Sequence, residues 1–154
     1  KRVWLADGSH VDADAVIANA DMPYARRKLL GKASRRKLRY SCSAHMLYIA
    51  YRGTLPELEH HNVFFGSDFK GNLDSIFHDL KVPEDPAFYV CVSALSDPEM
   101  APEGMLNLMV LIPAPNLDRP MSDEEQHRLE QGVLDRLRDE AQPLMNSNNV
   151  ELER

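Results

Sequence analysis

Two apolar runs, AFYVCVSAL (87–95) and MLNLMVLIP (105–113), flank the acidic, proline-bearing stretch SDPEMAPEG (96–104). This arrangement constrains the fold more than any other feature. The first run is rich in β-branched and aromatic residues and the second is strongly apolar, so each reads as a short strand. Pro98 and Pro102 fix φ and cannot donate ladder hydrogen bonds, so they are expected to stop the first strand. Gly104 allows the backbone to re-enter the second. The stretch therefore predicts a stiff connection that sets the register of the two strands.

A third run, YSCSAHMLYIAYR (40–52), supplies another strand. Alternation places Ser41, Ser43, His45, Leu47 and Ile49 on one face, and Cys42, Ala44, Met46, Tyr48 and Ala50 on the other. Both faces carry apolar residues, which predicts an interior strand. HHNVFFG (60–66) reads as a fourth, shorter one. Leu73, Ile76, Phe77 and Leu80 fall at i, i+3, i+4 and i+7, one face of a helix. A second helix is expected from about Ser122 to Ala141. Ser122 and Glu125 form a capping box, Asp123, Glu124 and Glu125 suit the positive end of the helix dipole, and Pro143 marks the exit. Leu129, Val133, Leu137, Ala141 and Leu144 make its buried stripe. Upstream, Asp7-Gly8 signals a hairpin with a type I′ turn. AVIANA (15–20) reads as a short strand buried on both faces. Asp21 then caps a helix with Pro23 in its first turn and Gly31 at its end.

The fold class is α+β: a mostly antiparallel sheet of about four strands covered by helices, preceded by an N-terminal hairpin–strand–helix strip. The chain begins at Lys1 inside a strand-like segment and ends in NNVELER with no helix stop. It therefore reads as a piece of a longer protein.

At 154 residues with 44 % hydrophobic residues, one ordinary core can form. The formal net charge of -6 argues against general affinity for nucleic-acid phosphates. No apolar run reaches membrane-spanning length, and no signal-peptide pattern is present. Cys42 and Cys91 are too few for a disulfide framework and are read as reduced core residues. One stretch opposes the overall charge: residues 26–39 hold eight of the chain's 18 Lys and Arg. These are Arg26, Arg27, Lys28, Lys32, Arg35, Arg36, Lys37 and Arg39. They form either a solvated loop or a contact to anionic lipid headgroups.

Catalytic and metal motifs are missing. The seven glycines are scattered, with no G-x-G-x-x-G and no P-loop. There is no C-x-x-C and no H-E-x-x-H. His60 and His61 are adjacent, so on a strand they are expected to point to opposite faces and not to share a metal. Ser41, Ser43 and His45 share a strand face, but no nucleophile elbow or oxyanion loop accompanies them. They read as small polar groups lining a cavity or facing solvent. No catalytic residue, metal ligand or cofactor-binding residue is assigned.

Several stretches together resemble the bacterial-type phytoene desaturase family of FAD-dependent carotenoid desaturases and isomerases. They are DADAVIANAD (12–21), YSCSAHMLYIAYRG (40–53), HHNVFFGSDFKGNLDSIF (60–77), DPAFYVCVSALSDPEMAPEG (85–104) and LMVLIPAPNLD (108–118). Order and spacing match as well as the residues. The resemblance implies that residues 1–22 are a strip of the FAD-binding domain and 23–154 the substrate-binding domain. It implies a parent oxidoreductase that desaturates phytoene or a related carotenoid precursor, with hydride passing to flavin and FAD held outside this piece. This piece alone would then bind no cofactor and turn over nothing.

A polyene has no polar handles and needs an apolar channel. Under this reading Met46, Tyr48, Phe64, Phe65, Tyr89, Leu106, Leu108 and Met109 are the candidate substrate-binding residues, with plain core as the alternative for many. SDPEMAPEG then forms a channel wall or a docking surface for the flavin domain. The parent is expected to be cytoplasmic and peripherally bound to the membrane through the basic run. A homodimer through an exposed domain interface is also expected. The alternatives are a stand-alone lipophile-binding or interaction module, and a family relative with isomerase, saturase or ketolase activity.

Overall fold

The computed structural model describes residues 1–32, 40–141 and 150–153. The chain forms two compact units, Lys1–Arg39 and Tyr40–Arg154.

In the first unit, β1 (Arg2–Trp4) and β2 (His10–Asp12) form an antiparallel ribbon. Arg2 clamps Asp12 through two hydrogen bonds, at 2.8 and 2.9 Å. The hairpin forms as expected, but its turn is not type I′. Leu5 and Ser9 close a longer loop in which Gly8 has φ 84° while Asp7 stays at negative φ. A type I′ turn needs positive φ at both central residues. Asp7 instead accepts from the Ser9 backbone and hydroxyl. AVIANA is not a strand, and Ile17 is 92 % exposed. A strand requires a hydrogen-bonded neighbour, and among the described residues β1 and β2 pair only with each other. The helix after Asp21 does form. The Asp21 carboxylate accepts from the Tyr24 N–H, α1 (Met22–Tyr24) runs into a π-type turn (Ala25–Leu29), and Gly31 follows with φ 62°.

The second unit is an antiparallel sheet of five strands: β3 (Ser43–Arg52), β4 (His61–Phe64), β5 (Phe88–Val92), β6 (Met105–Ala114) and β7 (Val150–Glu153). Their spatial order is β4-β5-β6-β3-β7. The fifth strand was not expected. VELE is only four residues long, too short for its apolar–polar alternation to mark a strand by itself, and it takes strand form by pairing with Tyr48–Tyr51 of β3. Pairing on both sides makes β3 interior, as its two-sided apolar pattern predicts.

The connection between β5 and β6 departs from expectation in one respect. β5 ends at Val92, and Ser93–Leu95 already turn as a 3-10 helix. The Asn107 side chain accepts from the Ala94 N–H and donates to the Ser93 hydroxyl, so the strand is stopped before either proline. A second 3-10 turn covers Pro98–Met100, capped by Asp97, and Gly104 enters β6 with φ 74°.

α3 (Asp123–Glu140) packs across the sheet. Its capping box is present in both directions. Leu129, Val133, Leu137 and Ala141 are buried as the stripe predicts, joined by Leu134; Leu144 lies outside the described residues. They meet Leu47, Ile49, Leu108, Val110, Phe88 and Val90 in one core. Each such side chain contributes about 1.5–3 kcal/mol on burial. α2 (Phe69–Asp74) continues as a π-type turn (Ser75–Asp79). Of its expected stripe only Ile76 is buried, while Leu73 and Phe77 are 40 % and 50 % exposed.

Candidate functional site

Strand alternation gives the five-stranded sheet two faces. One carries Leu47, Ile49, Phe88, Val90, Leu108 and Val110 and is covered by α3. The other is open and also apolar. Register aligns its residues in rows across the strands. One row runs Val63, Tyr89, Leu111, Met46. The next runs His61, Cys91, Met109, Tyr48. A soluble sheet ordinarily turns polar residues toward water on such a face. Here Val63 is 58 % and Tyr48 52 % exposed.

Beside these rows lies a groove of about 430 Å³. Tyr48, Ala50, Cys91 and Met109 form its floor, and Met100 of the acidic connection forms a wall. Its polar members, Ser93 and Asn107, are bonded to each other. Among the described residues no carboxylate or amine lines it. The groove therefore offers apolar and sulfur surface with little to bind a charged ligand, which suits a long hydrophobe.

The eight candidate residues divide. Met46, Tyr48, Tyr89 and Met109 share the open face. Leu106 and Leu108 point to the α3 side and are 9 % and 2 % exposed. Phe64 stacks on Phe88 at 4.6 Å against the core. Phe65 lies past the end of β4, edge-on to Phe69 at 5.5 Å. Leu111, Cys91 and Met100 join the open face or groove without having been singled out. The signal for the first two was present: register with β5 and β6 puts them in phase with Tyr89 and Met109.

The two histidines require a correction. His60 precedes β4, which begins at His61, so strand alternation does not apply to it. Their rings lie on the same side, with centroids 4.2 Å apart. One ring nitrogen of each and the Cys91 sulfur fall within 4.8 Å of one another. His60 Nδ1 bonds the Ser96 hydroxyl and His61 Nδ1 the Tyr89 hydroxyl, each at 2.7 Å. A hydrogen bond with Cys91, then desolvation and the charge on that sulfur, push the Tyr89 hydroxyl above its ordinary pKa. The cysteines are free, but neither is a core residue: Cys42 is exposed and Cys91 half-buried on the open face.

His45 does not pair with a serine. Its Nε2 meets Glu130 of α3 at 3.0 Å, where both side chains are largely buried. The serine–histidine arrangement is therefore absent. Arg26, Arg27, Lys28 and Lys32 are exposed on the first unit; Arg35, Arg36, Lys37 and Arg39 lie outside the described residues. Among the described residues no helix is long and apolar enough to cross a membrane. Gly8 sits in a hairpin loop and Gly31 after a helix, neither in a strand-to-helix turn that would present N–H groups to a pyrophosphate.

No family model matches the chain. It is 50 % identical over 119 residues to a zeta-carotene-forming phytoene desaturase of Myxococcus xanthus, covering 74 % of this chain and 23 % of that protein. It is 39 % identical over 127 residues to a phytoene desaturase of Fusarium fujikuroi, covering 80 % and 22 %. It is 34 % identical over 142 residues to a 4,4'-diaponeurosporene oxygenase of Staphylococcus haemolyticus, covering 88 % and 28 %. The chain thus spans about a quarter of the length of these relatives.

Proposed function

Because this chain belongs to the carotenoid desaturase family, we propose that it is the substrate-facing part of an enzyme that desaturates phytoene or a related carotenoid precursor. The observation that carries this reading is the open sheet face, with its rows of Val63, Tyr89, Leu111 and Met46, and of Cys91, Met109 and Tyr48. A long polyene laid along it would bury apolar surface on both partners, each Å² contributing about 25 cal/mol. The chain's own work is to bind, align and dehydrate the substrate. An FAD, held by the rest of the parent protein, supplies the redox chemistry. Residues 1–22 belong with that flavin domain and 23–154 with the substrate domain.

The test uses the full-length parent in a phytoene-producing host. Tyr48→Asp and Met109→Asp place a charge on the open face, and each is expected to cut desaturated product at least tenfold while flavin content stays unchanged. Leu73→Asp, on the exposed part of α2, should leave product near wild type. Undiminished product from both groove variants would overturn the reading.

The membrane side of the proposal rests on the basic run. A polyene substrate resides in the bilayer, and exposed Arg26, Arg27, Lys28 and Lys32 would hold a cytoplasmic parent against anionic headgroups, at about 1 kcal/mol per charge. Replacing these four by Gln should weaken sedimentation with anionic liposomes, and unchanged binding would remove this part of the proposal.

A further inference from the structure

We propose that His60, His61 and Cys91 form a binding site for a zinc-class transition metal ion at the edge of the open sheet face. The site is built by register and by one bend. His61 and Cys91 are directly paired across β4 and β5, so their side chains rise from the same face as neighbours. His60, just outside the strand, brings its ring alongside. Among the described residues this is the one cluster of three metal-ligating side chains, with its donor atoms within 4.8 Å of one another. A tetrahedral zinc centre with bonds of about 2.0–2.3 Å needs donors roughly 3.3–3.7 Å apart. Small side-chain rotations cover that difference.

Two further features fit a ligand set. Each imidazole has one nitrogen engaged by a hydroxyl, Ser96 for His60 and Tyr89 for His61. Metal-bound histidines are commonly held in this way: the second nitrogen donates to a fixed partner, which sets the tautomer and turns the free lone pair toward the ion. Two imidazoles and a thiolate, with no carboxylate among them, select a borderline-to-soft ion over magnesium or calcium. Cys91 also lines the groove, so three protein donors would leave the fourth position open toward it. The acidic connection gains a purpose in this arrangement, because Ser96 is its first residue.

The experiment is a Co²⁺ titration of the reduced chain. The expected result is one ion per chain, visible d–d bands of a four-coordinate centre, and a near-ultraviolet thiolate-to-cobalt band that excess Zn²⁺ bleaches. Cys91→Ser should lose the near-ultraviolet band, and Cys42→Ser should keep it. Tyr89→Phe keeps all three ligands but removes the hydroxyl on His61, and is expected to weaken affinity tenfold or more. Far-ultraviolet circular dichroism establishes that each variant is folded. A folded wild-type chain with no thiolate band, or a band that survives Cys91→Ser, would overturn the proposal.

Discussion

Asn72 shows how much of this structure depends on single polar side chains. It is buried at 7 % exposure and joins α2 to the chain entering β5. Its amide donates to the carbonyl oxygens of Asp68 and Asp85 and accepts from the Ala87 N–H. Asn72→Leu keeps the volume but strands the Ala87 N–H in a dry site. We expect a loss of about 1–3 kcal/mol by urea denaturation, because an unmade buried hydrogen bond costs more than a made one contributes. Gly66 completes this junction. A Cβ there would stand 2.2 Å from the Asp85 carbonyl oxygen, so Gly66→Ala must displace backbone. The His45–Glu130 pair acts similarly between β3 and α3. Glu130→Ala leaves a half-buried imidazole without its partner, and a loss of about 1–3 kcal/mol is expected in the same measurement. A stability equal to wild type would show that water replaces the carboxylate.

At the scale of elements, α3 carries the clearest prediction. Ser122→Ala removes the side-chain acceptor for the Glu125 N–H, and should cost about 1 kcal/mol. The reciprocal half of the box titrates. The Ser122 N–H, and then the Arg119 guanidinium, hold the Glu125 carboxyl below its usual pKa. A carboxyl depressed in the folded state contributes stability that is present above its unfolded pKa of about 4.3 and lost as pH falls through the folded value. Stability of the wild type should therefore decline on acidification below about pH 5, and Glu125→Gln should flatten that decline. Equal slopes for the two proteins would assign the acid sensitivity elsewhere. Asp85 shifts in the same direction, through the Ser67 N–H and then Arg136, so the flattening is partial.

For the molecule as a whole, the open sheet face dominates behaviour. Tyr48, Val63 and Met100 are each more than half exposed beside half-buried Met46, Met109 and Leu111. Contiguous apolar surface of this kind rarely stays wet. We expect the isolated chain to self-associate reversibly through it, and Tyr48→Asp with Val63→Asp to shift the equilibrium toward monomer. Sedimentation velocity over a concentration series reads this directly. A wild-type chain that remains strictly monomeric at the highest concentration would rule the association out.

Much of the architecture was legible in the residues. The period-2 alternation of 43–52 and 105–114, the capping box at Ser122 and the 3.6-residue stripe of 129–141 are local patterns, and local patterns report the element to which a residue belongs. They also report that β3 is interior, because both of its faces are apolar. They do not report which face a partner covers. Leu108 and Met109 are equally apolar neighbours, yet α3 buries the first and leaves the second open. That choice depends on where a helix packs, which is a tertiary fact. The fifth strand is similar: VELE pairs only because β3 presents an unpaired edge to it. The histidines make the point most directly. Adjacent strand residues point apart, but a bend that ends one residue early turns both rings to one side. The sequence by itself determined the four central strands, the long helix, the α+β class and the family. Only the tertiary structure decided which apolar surface remained free and which donors met upon it, because those depend on packing between segments distant along the chain.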